Sequence, residues 1–493
     1  MGSESILMPE TFSQACCIPT LQPWLPKLMK QSQAELIAAL AEIVGADKVK
    51  ADAESCSIYG RDWTRAYEPN PVAIVFPAAI EQVQAVVQYA NAHQLALVPS
   101  GGRTGLSGGA VAMNGEIVVA FDKMNKILSF DPVDRQVVCQ PGVVTEQLQN
   151  FAADKELFYP VDFASSGSSQ LGGNVATNAG GIKVIKYGLT RDWVMGMKVV
   201  TGSGQLLDLN KGLIKNATGY DLRHLFIGSE GTLGFIVEVT LKLAPPPSDP
   251  TVMVLALETM EAAMQVLQTF QSRLPLMAFE FFSEKALHHV VAEKALQRPC
   301  DTIGEFYALI EFENSGEQVL DQAMAAFEYC VEQGWALDGA ISQNSTQARD
   351  LWRLREDISE TIARFTPYKN DISVKVSQVP AFLHEVDAIV TEQYPDFEVI
   401  WFGHIGDGNL HLNILKPEAL AKAVFFEQCA QVSVDIFACV QRYGGSISAE
   451  HGVGLLKKPF LRYSRDKAEI DFMTAIKRVF DPKGVMNPGK IFD

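Results

Sequence analysis

At 493 residues, with 47% hydrophobic and 20% charged residues, the chain has the length for roughly two to four domains and the composition of an ordinary globular protein. A formal net charge of −17 excludes a general nucleic-acid surface, which would be basic, yet a local cationic pocket inside an acidic shell can still take an anionic substrate. No apolar run is expected to reach the ~18–20 residues of a membrane span, no basic start precedes an apolar core at the N-terminus, and the eight cysteines contain no CxxC. The expected state is reduced thiols in a cytoplasm, or in a mitochondrial matrix if the source is eukaryotic.

Residues 1–30 are punctuated by proline and read as a loose lead-in. From Ser32, QAELIAALAEIVG carries apolar residues at helical spacing and stops at Gly45. Residues 71–76 read as a short buried strand, 80–93 as a helix and 95–98 as the next strand. That order sets PSGGRTGLSGG, residues 99–109, at a strand's C-terminal end, where α/β folds put ligand loops. No GxGxxG opens a helix there and no GK[ST] follows, so neither a Rossmann nor a Walker loop is present. Residues 116–120 and 137–140 read as neighbouring strands, 145–151 as a helix, and 194–201 with 205–209 as a hairpin across the turn Gly202-Ser203-Gly204. Residues 218–226 read as helical, and GSEGTLG, residues 228–234, joins them to a strand over 235–243. Pro245, Pro246 and Pro247 then mark a domain boundary. Beyond it, strands over 251–258, 278–281 and 306–312 alternate with helices, one through Arg273 and one over 316–332. This pattern predicts a cap domain, residues 247–455, of antiparallel sheet covered by helices.

The longest Gly-rich segment is SSGSSQLGGNVATNAGG, residues 165–181. Its composition offers no core element; it suits either a flexible linker or backbone laid against a large polar cofactor. Its position between apolar segments and between two further Gly-rich loops favours the cofactor. PSGGRTGLSGG, GGNVATNAGG and NATGYDLRHLFIGSEGTLG, in that order, resemble the FAD-binding domain of the vanillyl-alcohol-oxidase family of flavoproteins, and most of all its FAD-linked D-2-hydroxyacid dehydrogenase branch.

The resemblance implies an α+β fold. It gives a PCMH-type FAD-binding domain of two α/β subdomains at 67–246, preceded by a lead-in with the first helix at 1–66. The cap follows, and a C-terminal segment, 456–493, returns to the FAD domain. It implies contacts to FAD from Pro99, Ser100, Gly101, Gly102, Arg103, Thr104, Gly105 and Ser107, with the backbone amides of residues 100–104 on the pyrophosphate. It adds Gly167, Ser168, Gly172, Gly173, Asn174, Thr177 and Gly180, then Gly228, Glu230, Gly231, Gly234 and Ile236, with Asn487 from the tail near the flavin ring. Some relatives tether FAD through a histidine in the first loop; Arg103 stands here, so the FAD is expected to be non-covalent.

In WFGHIGDGNLHLN, His404 and His411 flank a glycine turn, and SISAEHGVG sets Glu450 beside His451. Two imidazoles and a carboxylate can make a three-ligand site for a catalytic divalent metal; by spacing alone, a pair of satisfied polar histidines is the competing reading. The family's HxGDGNxH and EHG motifs imply that His404, His411 and Glu450 hold Zn²⁺, or alternatively Mn²⁺. His451 is then the general base for the substrate hydroxyl, against the alternative of a structural histidine beside a ligand.

For the substrate, Arg355, Ser359, Lys369 and Asn413 resemble the family's binding set, with Arg355 and Lys369 as its carboxylate pair; otherwise both cations read as solvated charges. Two cations favour a dicarboxylate, D-2-hydroxyglutarate or D-malate, oxidised to the 2-oxoacid; D-lactate, glycolate, or an O₂-using oxidation on the same fold are the alternatives. Ser359 stands where the family has Thr, Lys375 replaces a usual proline, and the spacing to Lys369 is one residue shorter, all of which bear on which acid is taken. The expected electron acceptor is a quinone, an electron-transfer flavoprotein or a cytochrome; the sequence leaves the oligomeric state open, a homodimer through the cap being one option.

Overall fold

The computed structural model describes residues 32–492, so the lead-in expected over 1–30 lies outside the described residues. The first helix, Gln33–Val44, starts at a reciprocal capping box between Ser32 and Glu35 and buries Leu36, Leu40 and Val44, spaced four apart along one face.

Strands β1 (Val49–Lys50), β2 (Ala73–Val75), β3 (Leu97–Ser100) and β4 (Ile117–Ala120) form one sheet in the order β1-β2-β4-β3. Its β2, β4 and β3 are parallel, and the helix Ile80–His93 crosses between β2 and β3. Continuous Val/Ile runs suit strands buried on both faces, and Ile74, Val98, Val118 and Val119 are fully buried. The glycine loop leaves the C-terminal end of β3, as the sequence predicts.

A second sheet holds β5 (Ile127–Asp131), β6 (Gln136–Cys139), β7 (Val194–Thr201), β8 (Leu206–Leu209) and β9 (Gly234–Lys242) in the order β5-β6-β9-β7-β8. The β7–β8 hairpin is as expected. The expected pairing of residues 116–120 with 137–140 is not found: β4 lies in the first sheet and β6 in the second, paired with β5 and β9. Of residues 218–226 only Arg223–Phe226 is helical, because Gly219 takes a φ of 88°, outside helical backbone. The Gly-rich segment also departs from expectation. It contains a seven-residue helix, Leu171–Thr177, whose Leu171 and Val175 are one helical turn apart and join the second sheet's core.

The third sheet has seven antiparallel strands: β10 (Pro250–Leu257), β11 (Leu276–Ser283), β12 (Phe306–Glu313), β13 (Asp338–Ile341), β14 (Tyr368–Ser373), β15 (Val399–Gly403) and β16 (Asn409–Ile414). Their order is β13-β10-β12-β11-β15-β16-β14. Helices Met260–Gln271, Glu317–Glu332, Val379–Gln393 and Lys422–Arg442 bury one face with Phe279, Phe281, Ile310, Leu410 and Leu412. Among the described residues Lys422–Arg442 alone is long and apolar enough to cross a membrane, contrary to the expectation that no run would reach that length; Phe425, Val432, Ile436 and Val440 pack it into this core.

The opposite face is partly apolar, with Val252, Val254, Phe282, Leu309, Ile400 and Phe402. Ile182 packs there, and Lys183 forms an ion pair at 3.4 Å with the buried Glu311 of β12, so the segment after the Gly-rich helix sits on the third sheet. The tail closes the assembly: Met486 bridges to Leu97 of β3, and Asn487 N–H donates to Leu97 O at 2.7 Å.

Candidate active site

The three Gly-rich loops meet. A Cβ on Gly102 would collide with the Ser168 carbonyl, so only glycine lets the first loop lie against the second. Gly231, at φ 72°, packs its backbone against the Pro99 ring, which joins the third loop to the first. Gly228 N–H and Glu230 N–H donate to Val175 O and Ala176 O at 3.0 and 2.8 Å, tying the third loop to the helix inside the second. Asn487 Nδ2 donates to Gly109 O at 2.8 Å and Glu230 O at 2.7 Å.

Ser100 Oγ, Gln170 Oε1 and Asn487 Oδ1 are buried there without a protein partner, and a Cβ on Gly173 would meet nothing within 4 Å. Unpartnered polar atoms beside open glycine backbone fit a polar cofactor such as FAD.

Several of the residues expected to contact FAD also bond within the protein. Arg103 turns its guanidinium onto Asp122 at 3.2 Å and over the Tyr59 ring at 4.6 Å. Asn174 donates to Thr145 Oγ1 at 2.7 Å, Thr177 Oγ1 donates to Gly173 O at 3.0 Å, and Ser107 O accepts from Leu455 N–H at 2.9 Å. Gly180 packs on Leu189, and Gly234 and Ile236 lie in β9 with the Ile236 side chain in the core. The Glu230 carboxylate accepts Val453 N–H at 2.7 Å and Gly454 N–H at 2.9 Å, two and three residues beyond His451. Burial pushes Glu230 up to about 6 against those two hydrogen bonds.

The chemical cluster rises from the face of the third sheet that looks toward these loops. β15, the turn 404–408 and β16 form a hairpin, so His404 leaves one strand and His411 sits on the next. In register, Phe402 opposes His411, Asp371 opposes His411 from the other side, and Lys369 opposes Asn413. Cross-strand partners share a face, so Asp371, His411, Asn413 and Lys369 stand together on it. Glu450 and His451 arrive on the loop that follows the Ser373–Ser446 bridge.

His404 Nε2 lies 3.9 Å from Glu450 Oε2, and His411 Nε2 and His451 Nε2 lie 3.6 and 3.5 Å from Glu450 Oε1. On their outer sides, His404 Nδ1 is 2.9 Å from Glu280, and His451 and His411 Nδ1 are 3.3 and 3.9 Å from Asp371. All three imidazoles therefore point Nε2 at Glu450 and Nδ1 at a buried carboxylate. One nitrogen or oxygen from each of His404, His411 and Glu450 falls within 4.8 Å of the others, a donor set that fits zinc.

Asp371 also accepts Glu450 N–H at 3.1 Å, His451 N–H at 3.0 Å and Asn409 Nδ2 at 2.9 Å. Burial opposes its charge, but His451 and Lys457 hold Asp371 well below the usual carboxylate range. Burial drives His411 down to about 3. It also works against charge on His404, where Glu280 prevails and raises the imidazole to about 9. Glu450 falls to about 2 despite burial, through the three imidazoles gathered around it.

The substrate set is less tightly gathered. Asn413 is 1% exposed with both amide atoms unpartnered, directly across from the exposed Lys369. Arg355 is buried, stacked 4.7 Å over Phe402 and ion-paired at 2.9 Å with Glu280, so its charge is already offset. Ser359 is exposed on the short helix Ile358–Ile362, with no hydrogen bond tying it to the cluster among the described residues.

Sequence reasoning missed Glu280, Asp371 and Lys457. A signal for the first was present: Glu280 is the one charge in the strand LMAFEFFS, and a charge inside an apolar strand must find a buried partner.

The fold and the meeting loops define an FAD-dependent oxidoreductase, and comparison with known proteins agrees. A family model described as "FAD binding domain" matches residues 71–210, and one described as "FAD linked oxidases, C-terminal domain" matches residues 246–491. A D-2-hydroxyglutarate dehydrogenase of Stutzerimonas stutzeri (strain A1501) is 63% identical over 93% of this chain and 98% of its own. One from Xanthomonas citri pv. viticola is 54% identical over 93% and 97%. The solved structure of 4-ethylphenol oxidase from Gulosibacter chungangensis, at 16% identity, shares the fold, with a TM-score of 0.73 over 95% of this chain and 98% of that one. The chain belongs to the FAD-linked oxidase family, in its D-2-hydroxyacid dehydrogenase branch, whose members act on CH–OH groups.

Proposed function

We propose that the chain oxidises D-2-hydroxyglutarate to the 2-oxoacid, with D-malate as a second substrate. The observation that carries this reading is the convergence of three Nε2 atoms on Glu450, on a sheet face that also presents Lys369 and Asn413. The names of the two bacterial relatives support the choice of acid.

The three Gly-rich loops and Asn487 would hold FAD without a covalent bond, and FAD supplies the acceptor for the hydride from the substrate α-carbon. His404, His411 and Glu450 would hold Zn²⁺, or Mn²⁺, which supplies a Lewis acid for the developing alkoxide.

The chain's own residues do the rest. His451 Nε2 takes the proton of the α-hydroxyl. Asp371, accepting at Nδ1, keeps the lone pair on Nε2 and stabilises the imidazolium that forms. Lys369 adds a point charge for one carboxylate, and Asn413 brings an unpartnered amide. The electrons pass onward to a quinone, an electron-transfer flavoprotein or a cytochrome.

A second reading, D-lactate or glycolate, is favoured by one observation: with Arg355 offset by Glu280, Lys369 carries most of the free positive charge among the proposed substrate contacts. Initial rates with an artificial acceptor separate the two. A kcat/KM for D-2-hydroxyglutarate well above that for D-lactate and glycolate supports the proposal, and the reverse order replaces it with the second reading.

A further inference from the structure

We infer that Glu280 is a positioning residue that couples the metal site to the substrate-carboxylate site. The inference rests on the proposed metal role of His404 and on the substrate-carboxylate role that the family resemblance implies for Arg355.

Glu280 lies on β11, and its side chain shares a sheet face with Phe282, which pairs across with Phe402, which in turn pairs with His411. The carboxylate is 1% exposed and serves two neighbours at once, the His404 imidazole through Nδ1 at 2.9 Å and the Arg355 cation through Nη2 at 2.9 Å. A buried carboxylate on Nδ1 makes that nitrogen the donor, and so leaves the His404 Nε2 lone pair aimed at Glu450 and His411. The same group fixes the Arg355 fork against Phe402, with Arg355 Nε left unpartnered.

Stability alone does not account for this arrangement. A buried ion pair gains little over well-packed apolar side chains, and the rest of β11 is apolar apart from its terminal Ser283. One Glu280 oxygen takes the His404 hydrogen bond, and the other, which makes no hydrogen bond, faces Arg355 as an ion pair. Glutamine has one acceptor and one donor, so Glu280→Gln must fail either His404 or Arg355.

The test uses the FAD-loaded protein, with zinc affinity read by competition against a chromophoric chelator and flavin per chain read by absorbance. Glu280→Gln is expected to weaken zinc about 10–100-fold with flavin content as in the unmodified protein. Excess zinc should restore kcat, while KM for the acid stays raised because Arg355 has lost its partner. A merely structural defect would lower flavin content and would not respond to zinc. If Glu280→Gln does not fold, Glu280→Asp keeps the charge but is too short to reach both donors, and the same pattern is expected of it.

Unchanged zinc affinity in the variant that folds, with His404→Ala abolishing zinc binding, overturns the role of Glu280 and leaves the metal reading standing. Zinc bound as tightly in His404→Ala as in the unmodified protein overturns both.

Discussion

Asp371 Oδ2 lies 3.3 Å from His451 Nδ1 and accepts the same residue's backbone N–H at 3.0 Å, so one buried carboxylate fixes both the ring and the chain that carries it. His451→Ala should therefore keep FAD and lose flavin reduction. Asp371→Asn would face its amide N–H toward groups that are themselves donors, and should lower the reduction rate by about 10²–10⁴-fold. Stopped-flow absorbance checks both. Turnover that persists in His451→Ala removes it from the role of base.

Lys369 is exposed opposite Asn413, and no internal carboxylate holds it among the described residues. Lys369→Ala should raise KM for a dicarboxylate about 10–100-fold, the worth of one charge-assisted hydrogen bond, and barely affect D-lactate. Equal losses on both acids would undo the proposed selectivity.

Glu230 gives a pH-dependent prediction away from the metal ligands. Its carboxyl stands at about 6 in the folded chain against an ordinary value of 4.5. The folded state thus binds this proton more tightly, so the stabilisation is full below pH ~4.5 and is lost as pH rises through about 6. Glu230→Gln removes the titration. Between pH 4.5 and pH 7 the unmodified protein should lose about 2 kcal/mol relative to the variant in denaturant melts, because each tenfold difference in proton affinity between folded and unfolded chain is worth about 1.4 kcal/mol. A difference that does not change with pH contradicts the assignment.

Chelation should separate the two cofactors. Removal of divalent metal should leave the protein yellow, because the cradle is built from loops remote from His404, His411 and Glu450 in sequence, yet abolish reduction by substrate until zinc or manganese is restored. Full activity after verified metal removal would contradict the proposed metal role.

What the sequence made legible was local chemistry. The glycine loops, the helix capped by Ser32, the β7–β8 hairpin and the His404–His411 turn all follow from residue type and spacing within a few residues. Partners distant in the chain were hidden. Strand character at residues 116–120 and 137–140 is evident, but alternation says nothing about which sheet a strand joins. Arg355 looked like a free cation because Glu280, 75 positions earlier by their residue numbers, cannot be paired with it without the fold. That the Glu230 carboxylate holds the loop after His451 was equally hidden, because more than 200 positions separate them in the chain.

The most direct measurement is anaerobic: the visible spectrum of the purified, metal-replete protein before and after addition of D-2-hydroxyglutarate. Rapid bleaching of the flavin band is the predicted result, with no bleaching in His451→Ala. A yellow protein that keeps its colour with D-2-hydroxyglutarate but bleaches with D-lactate or glycolate would contradict the proposed substrate.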